Sequence, residues 1–170
     1  MIVSEDMLLD TVDDADNVIG VTKRSEVLSS RANFRVAHLL LFNREQELLL
    51  QQLSLTRERH PGAWGSSVAA YVASGENYAQ SAARRLRQEL AITIPLIPLV
   101  KTAMMDEQSK KFIMIFTGTT DGPFTYDHEH IARLEYRSIP DVLALREAGA
   151  RVFTPTFLQV LDTYRQQRHQ

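Results

Sequence analysis

Cysteine is absent from this 170-residue chain. That excludes disulfides, thiolate metal centres and a cysteine nucleophile. Charge imbalance is missing as well: the formal net charge is -2, so no basic field draws in nucleic acid or an anionic membrane surface. No apolar run approaches the ~20 residues that a membrane span needs. Residues 1–16 carry six acidic side chains and no basic one, the wrong pattern for a signal or transit peptide. These absences predict a cytoplasmic protein with no nucleic-acid and no membrane partner, and leave monomer and homodimer open. Internal repeats and low-complexity linkers are lacking too, so 1–170 reads as a single domain. A core is within reach, because folding at this size removes roughly two-thirds of the chain surface from water.

Two short apolar runs, 7–12 and 18–23, flank the polar cluster 13–17 and predict a hairpin. A second strand pair is expected at 34–42 and 47–53. The charged segment 56–62, which ends in Pro61-Gly62, reads as an exposed irregular loop. Residues 64–72 read as one strand, broken by Gly75. The period then changes: Tyr78, Ala82, Leu86 and Leu90, with Ala79 and Ala83 beside them, fit one face of a helix from about Asn77 to Ala91, with Asn77 as N-cap. Strands return at 96–105 and 112–117 around the polar turn 106–111, with Pro95 and Pro98 pointing to an irregular start or a sheet edge. Pro140 starts a second helix that Gly149 ends, and 155–165 reads as a third. The order predicts an α+β or α/β sandwich with a mixed sheet.

The motif with chemical content runs from Ala70 to Ile92 and includes Glu76, Arg84-Arg85-Leu86-Arg87-Gln88-Glu89-Leu90 and Ile92. It resembles the Nudix box, in which a glycine, a glutamate and an Arg-Glu-aliphatic-x-Glu-Glu-x-Gly-aliphatic run follow at fixed spacing. Glu76, Arg84, Leu86, Glu89 and Ile92 fall in register with it. The surroundings, 12–20, Lys23-Arg24-Ser25-Glu26-Val27, 41–43, 48–51, Pro61-Gly62-Ala63-Trp64 and Phe153-Thr154-Pro155, resemble the isopentenyl-diphosphate-isomerase-like branch of that superfamily. The resemblance implies a Nudix-type α/β/α sandwich, a small-molecule diphosphate ligand and Mg2+.

The box works as a loop and a helix that place three glutamates on one face, where they hold Mg2+ against a diphosphate. Here those positions are Arg85, Gln88 and Glu89, so one carboxylate remains and Arg85 adds a fixed positive charge. The box glycine is Ala70, and the glycine near the helix end is Ala91. Isomerase chemistry needs a cysteine and a glutamate as its acid-base pair, and these align with Ala69 and Lys111, neither of which can take the role. That enzyme's metal histidines align with Val27, Phe34 and Tyr71, and its carbocation-covering tryptophan falls near Thr156. Its basic diphosphate contacts map to Lys23, Arg57 and Arg85, with a fourth arginine position at Leu53.

Several roles stay open on these grounds. Glu89 is either a catalytic metal ligand or the partner of Arg85 one turn earlier. Glu76 and Arg84 read as a structural ion pair. Lys23 and Arg57 are ligand contacts or solvated surface charges. In His128-Glu129-His130, either Glu129 or His130 faces the site, and exposed turn residues are the plainer reading. Trp64, Tyr71 and Tyr136 line a pocket or fill the core. His38 and His60 carry no signal. The expectation is a diphosphate-binding protein, either with slow Mg2+-dependent pyrophosphohydrolysis at Glu89 or as a binding module without turnover.

Overall fold

The computed structural model describes residues 7–168. β1 (Leu8–Val12) and β2 (Val18–Lys23) form the expected hairpin. Asp13 closes its turn, the carboxylate accepting the backbone N–H groups of Ala15 and Asn17 at 2.9 Å each. A three-residue 3-10 turn, Arg24–Glu26, leads onward.

The main sheet is mixed and seven-stranded. Its strands are β3 (Phe34–Phe42), β4 (Leu48–Leu53), β5 (Trp64–Gly65), β6 (Val68–Tyr71), β7 (Ile97–Asp106), β8 (Ser109–Thr119) and β9 (Ile131–Arg137). They run in the order β5-β4-β3-β8-β7, with β6 also on β3 and β9 also on β4. β3 and β8 are parallel, and the other pairs are antiparallel. β7 is an edge strand whose register shifts between Pro98 and Val100, as its prolines predict.

β3 shows why three layers form. Ala37, Leu39 and Leu41 pack with Ala82, Leu86 and Leu90 of α1 (Tyr78–Leu90). Val36 and Leu40 point the other way, into a core shared with Val142 of α2 (Ile139–Glu147) and with Phe157, Val160 and Leu161 of α3 (Pro155–Arg168). The period of two in the strand thus feeds two cores, one on each face of the sheet. Leu86 is 1% exposed, so the helical face read from the sequence is the buried one. Asn77 caps α1 in a capping box with Gln80, as its residue type favours. Among the described residues, no helix is long and apolar enough to cross a membrane.

Two differences from the sequence expectation matter for the site. Residues 64–72 are not one strand: the segment breaks at Ser66-Ser67, β5 pairing with β4 and β6 with β3. β3 and β4 are themselves paired only at Phe42 and Leu48 and then diverge. Fully buried Ser67 bridges the gap, its Oγ accepting from Leu41 N–H at 2.9 Å and donating to the Leu49 carbonyl at 2.6 Å. The second difference is β9, which the sequence reading leaves unassigned. It pairs with β4 from Leu48 to Leu53 and brings His130 into the site.

Candidate functional site

A cavity of about 730 Å3 opens where β3 and β4 part. Val36 and His38 from β3, Gln51 and Leu53 from β4, and Gly65, Ser66, Ala69, Ala70 and Tyr71 from the crossing segment line it. Five cationic side chains (Arg24, Arg57, Arg59, Arg85, Lys111) and three carboxylates (Glu58, Glu89, Glu129) border it, so its electrostatic bias is positive. A more open groove of about 970 Å3, between α2, α3 and the β7–β8 side, holds none of the motif residues.

Glu89 is the centre of one wall. Its Oε2 forms an ion pair with Arg85 Nη2 at 2.7 Å and lies 2.8 Å from His130 Nε2, and its Oε1 accepts from Gln51 Nε2 at 3.1 Å. Burial works against ionising this carboxyl, but the His130 hydrogen bond and the Arg85 charge outweigh it and hold the group below the usual glutamate range. An ionised carboxylate only accepts, so His130 donates to it in the tautomer that carries its proton on Nε2. In the other tautomer the same nitrogen accepts from Arg85 Nη2 at 2.9 Å and from Arg57 Nη1 at 3.4 Å.

Mg2+ does not fit this donor set. The three box positions hold Arg85, Gln88 and Glu89, and both oxygens of the single carboxylate are already engaged by protein donors. Gln88 is exposed and accepts from Arg84 at 3.2 Å. Asp106, behind the lining residues Arg59 and Lys111, is tied to them at 2.8 Å and 2.9 Å. Among the described residues, no group of three metal-ligating side chains occurs.

The cations have a different character. Arg57 and Arg85 are both buried enough that desolvation opposes their charge, Glu89 partly restoring it. Arg24 lies over the Tyr71 ring, 4.9 Å from its centroid. The Nε atoms of Arg24 and Arg85 are buried with no hydrogen-bond partner. An orphaned N–H on a guanidinium is costly, so protein partners alone leave both of these cations incompletely satisfied.

Of the residues singled out from sequence, Arg57, Arg85 and Glu89 meet in the cavity. Lys23 does not line it: it is the exposed last residue of β2, and Arg24 beside it takes the place at the cavity wall. Glu76 and Arg84 form the ion pair expected, 3.0 Å apart, with Ser81 Oγ donating to the same carboxylate at 2.7 Å. That cluster joins the loop to α1. His130 is buried against Glu89, and Glu129 is an exposed lining residue. Tyr71 lines the cavity, whereas Trp64 is core, capped by Arg151 at 4.0 Å, and Tyr136 packs against the α1-side core.

Ser66, Gln51 and Arg59 are not singled out as site residues by the sequence, and His38 is read there as carrying no signal. His38 Nδ1 lies 2.8 Å from Ser66 Oγ, and burial with the nearby Lys111 charge pushes its imidazole down to about 3. A polar residue at an inward position of an otherwise apolar strand, as at His38 and Gln51, is the signal that could have found them.

Comparison with known proteins agrees with this architecture. Residues 32–157 match the NUDIX domain. An uncharacterized Nudix hydrolase of Pseudomonas aeruginosa is 33% identical over 95% of this chain and 95% of its own length. An isopentenyl-diphosphate Delta-isomerase of Pectobacterium atrosepticum is 26% identical over 86% of this chain and 84% of its own. The crystal structure of a Deinococcus radiodurans protein superposes with a TM-score of 0.81 at 22% identity, covering 92% of this chain and 98% of that one. The profile match and the Pseudomonas relative together place this chain in the Nudix family.

Proposed function

We propose that the cavity binds a small molecule carrying a diphosphate, held by Arg24, Arg57 and Arg85 in place of a metal cluster. Glu89 then serves as the internal counter-ion that keeps Arg85 in place. The observation that carries this reading is the convergence of the Arg24, Arg57 and Arg85 guanidinium groups on one cavity that only Glu89 counters at its buried wall. Guanidinium groups match phosphate oxygens in geometry and stay charged when buried. The Pectobacterium relative acts, by its name, on a diphosphate, and descent from an isomerase-like scaffold would supply a pocket already shaped for one. Ala69 and Lys111 in place of an acid-base pair argue against isomerisation here.

A thermal-shift screen of pyrophosphate, nucleoside diphosphates and isoprenoid diphosphates tests the reading. A ligand at a hundred times its Kd adds about 2.7 kcal/mol of stability. Arg57→Ala or Arg85→Ala should weaken the ligand found by roughly 1.5–3 kcal/mol, the range for hydrogen bonds to charged groups. Ligand affinity unchanged by both substitutions would refute the site. Pyrophosphate-bond hydrolysis strictly dependent on Mg2+ would return Glu89 to the role of metal ligand and make the protein a slow pyrophosphohydrolase.

A further inference from the structure

The lining of the same cavity includes a second set of polar groups that the diphosphate reading leaves unused. Lys111 Nζ donates to Asp106 Oδ2 at 2.9 Å and to Thr156 Oγ1 at 2.6 Å. Asp106 also takes two hydrogen bonds from Arg59, at 2.8 and 3.1 Å. His38, Ser66, Lys111 and Thr156 all line the cavity, beside the small residues Gly65 and Ala69.

Their placement is unusual for the strands that carry them. His38 continues the row of Val36 and Leu40 on β3, and Lys111 the row of Ile113 and Ile115 on β8. Those four aliphatic residues enter the core beneath α3. Two polar side chains therefore replace apolar ones where the rows reach the cavity. The Lys111 side chain is only 9% exposed, and burial opposes its charge, with Asp106 partly restoring it.

Hydrogen-bond capacity is left over here. A lysine ammonium has three N–H donors, and among the described residues Lys111 uses two of them. His38 uses one ring nitrogen, toward Ser66. A hydrocarbon tail pressed against these groups would strip their water and return no hydrogen bond, a penalty for every polar group covered. A hydroxyl or carboxylate would instead offer an acceptor to the remaining N–H of this lining lysine.

We infer that this second set of groups is a specificity subsite for an oxygen-bearing organic group, hydroxyl or carboxylate, on the molecule whose diphosphate lies at the arginines. Lys111 is its principal contact, and His38 with Ser66 its second. The inference rests on the diphosphate reading and adds to it the chemistry of the rest of the ligand: a polar tail in place of an isoprenoid one.

Calorimetric titration of the full chain with three probes tests it: pyrophosphate, isopentenyl diphosphate and mevalonate 5-diphosphate. The last two share a diphosphate on a short branched carbon chain, and mevalonate 5-diphosphate adds a hydroxyl and a carboxylate. Wild type should bind mevalonate 5-diphosphate about tenfold or more tightly than isopentenyl diphosphate, equivalent to ~1.4 kcal/mol. Lys111→Met, checked for folding by circular dichroism, should bring that ratio toward one. The wild-type comparison stands whether or not the variant folds. Equal or tighter binding of isopentenyl diphosphate by wild type, or a ratio that survives Lys111→Met, overturns the subsite while leaving pyrophosphate binding intact. Failure of wild type to bind pyrophosphate or either tailed probe overturns the diphosphate reading and the subsite with it.

Discussion

Arg85 and Glu89 stand one turn apart on α1 with Nη2 and Oε2 2.7 Å from each other, and both side chains are almost wholly buried, 4% and 3% exposed. A surface pair at this spacing is worth a few tenths of a kcal/mol. A buried one behaves differently, because removing one partner leaves the other charge uncompensated. The pair decides between the two readings of the cavity. Glu89 either neutralises Arg85, or it is held ready for a cation that Arg85 repels.

Glu89→Gln separates these possibilities. The amide keeps the shape and removes the charge. Stability should fall by roughly 1.5–3 kcal/mol, as for loss of hydrogen bonds to a charged group, read as a lower urea midpoint. Pyrophosphate affinity should rise, by about tenfold for each ~1.4 kcal/mol gained, because Arg85 then seeks another anion. A fall in affinity would mean that Glu89 holds the ligand through a metal.

His38 makes a pH prediction. Its folded-state imidazole is pushed down to about 3 from 6.5 by burial and by the Lys111 charge. Below 6.5 the unfolded chain takes up a proton at this residue and the folded chain does not. The stability that neutral His38 contributes is complete above that value and is lost as the pH falls from 6.5 toward 3, by up to ~1.4 kcal/mol per unit. Urea titrations between about pH 6.5 and 5, before most carboxylates titrate, should show this slope. It should be shallower in His38→Asn, and an identical slope in the variant would contradict the assignment.

Ala91 ends α1 in a left-handed conformation, φ 57° and ψ 36°. A Cβ there costs ~1–2 kcal/mol, and a glycine C-cap carries no such cost. Ala91→Gly should therefore stabilise the protein, by about 1 kcal/mol or less once the extra freedom of glycine in the unfolded chain is subtracted. Chemical denaturation checks the sign, and a destabilised variant would show that the Ala91 side chain contributes more than its backbone strain costs.

Much of the fold was legible because local pattern and tertiary role agree. The face of Tyr78, Ala82, Leu86 and Leu90, the Asn77 cap, the first hairpin and the proline-marked edge strand all follow from periodicity and turn chemistry. The split of 64–72 was not legible. Its alternation continues across Ser66-Ser67, and only the divergence of β3 from β4 gives its two halves different partners. β9 does alternate, with Leu134 and Tyr136 between Arg133, Glu135 and Arg137, but its high charge disguised it. The sequence-derived residues that line the cavity are those the resemblance aligns, Arg85 and Glu89 within the motif and Arg57 upstream of it. The site was missed where the cavity draws on separate strands, at His38, Gln51 and Ser66. Lys23 and Arg24 show the limit of resolution, since the strand end places one outside the cavity and its neighbour within.

The central claim, that this Nudix cavity holds its ligand with its own cations, is tested most directly by titrating wild type with pyrophosphate in Mg2+ and again in excess EDTA. The Arg24, Arg57 and Arg85 site predicts a Kd that changes less than about threefold, under ~0.7 kcal/mol, between the two conditions. Binding that disappears in EDTA and returns when Mg2+ is restored would contradict it.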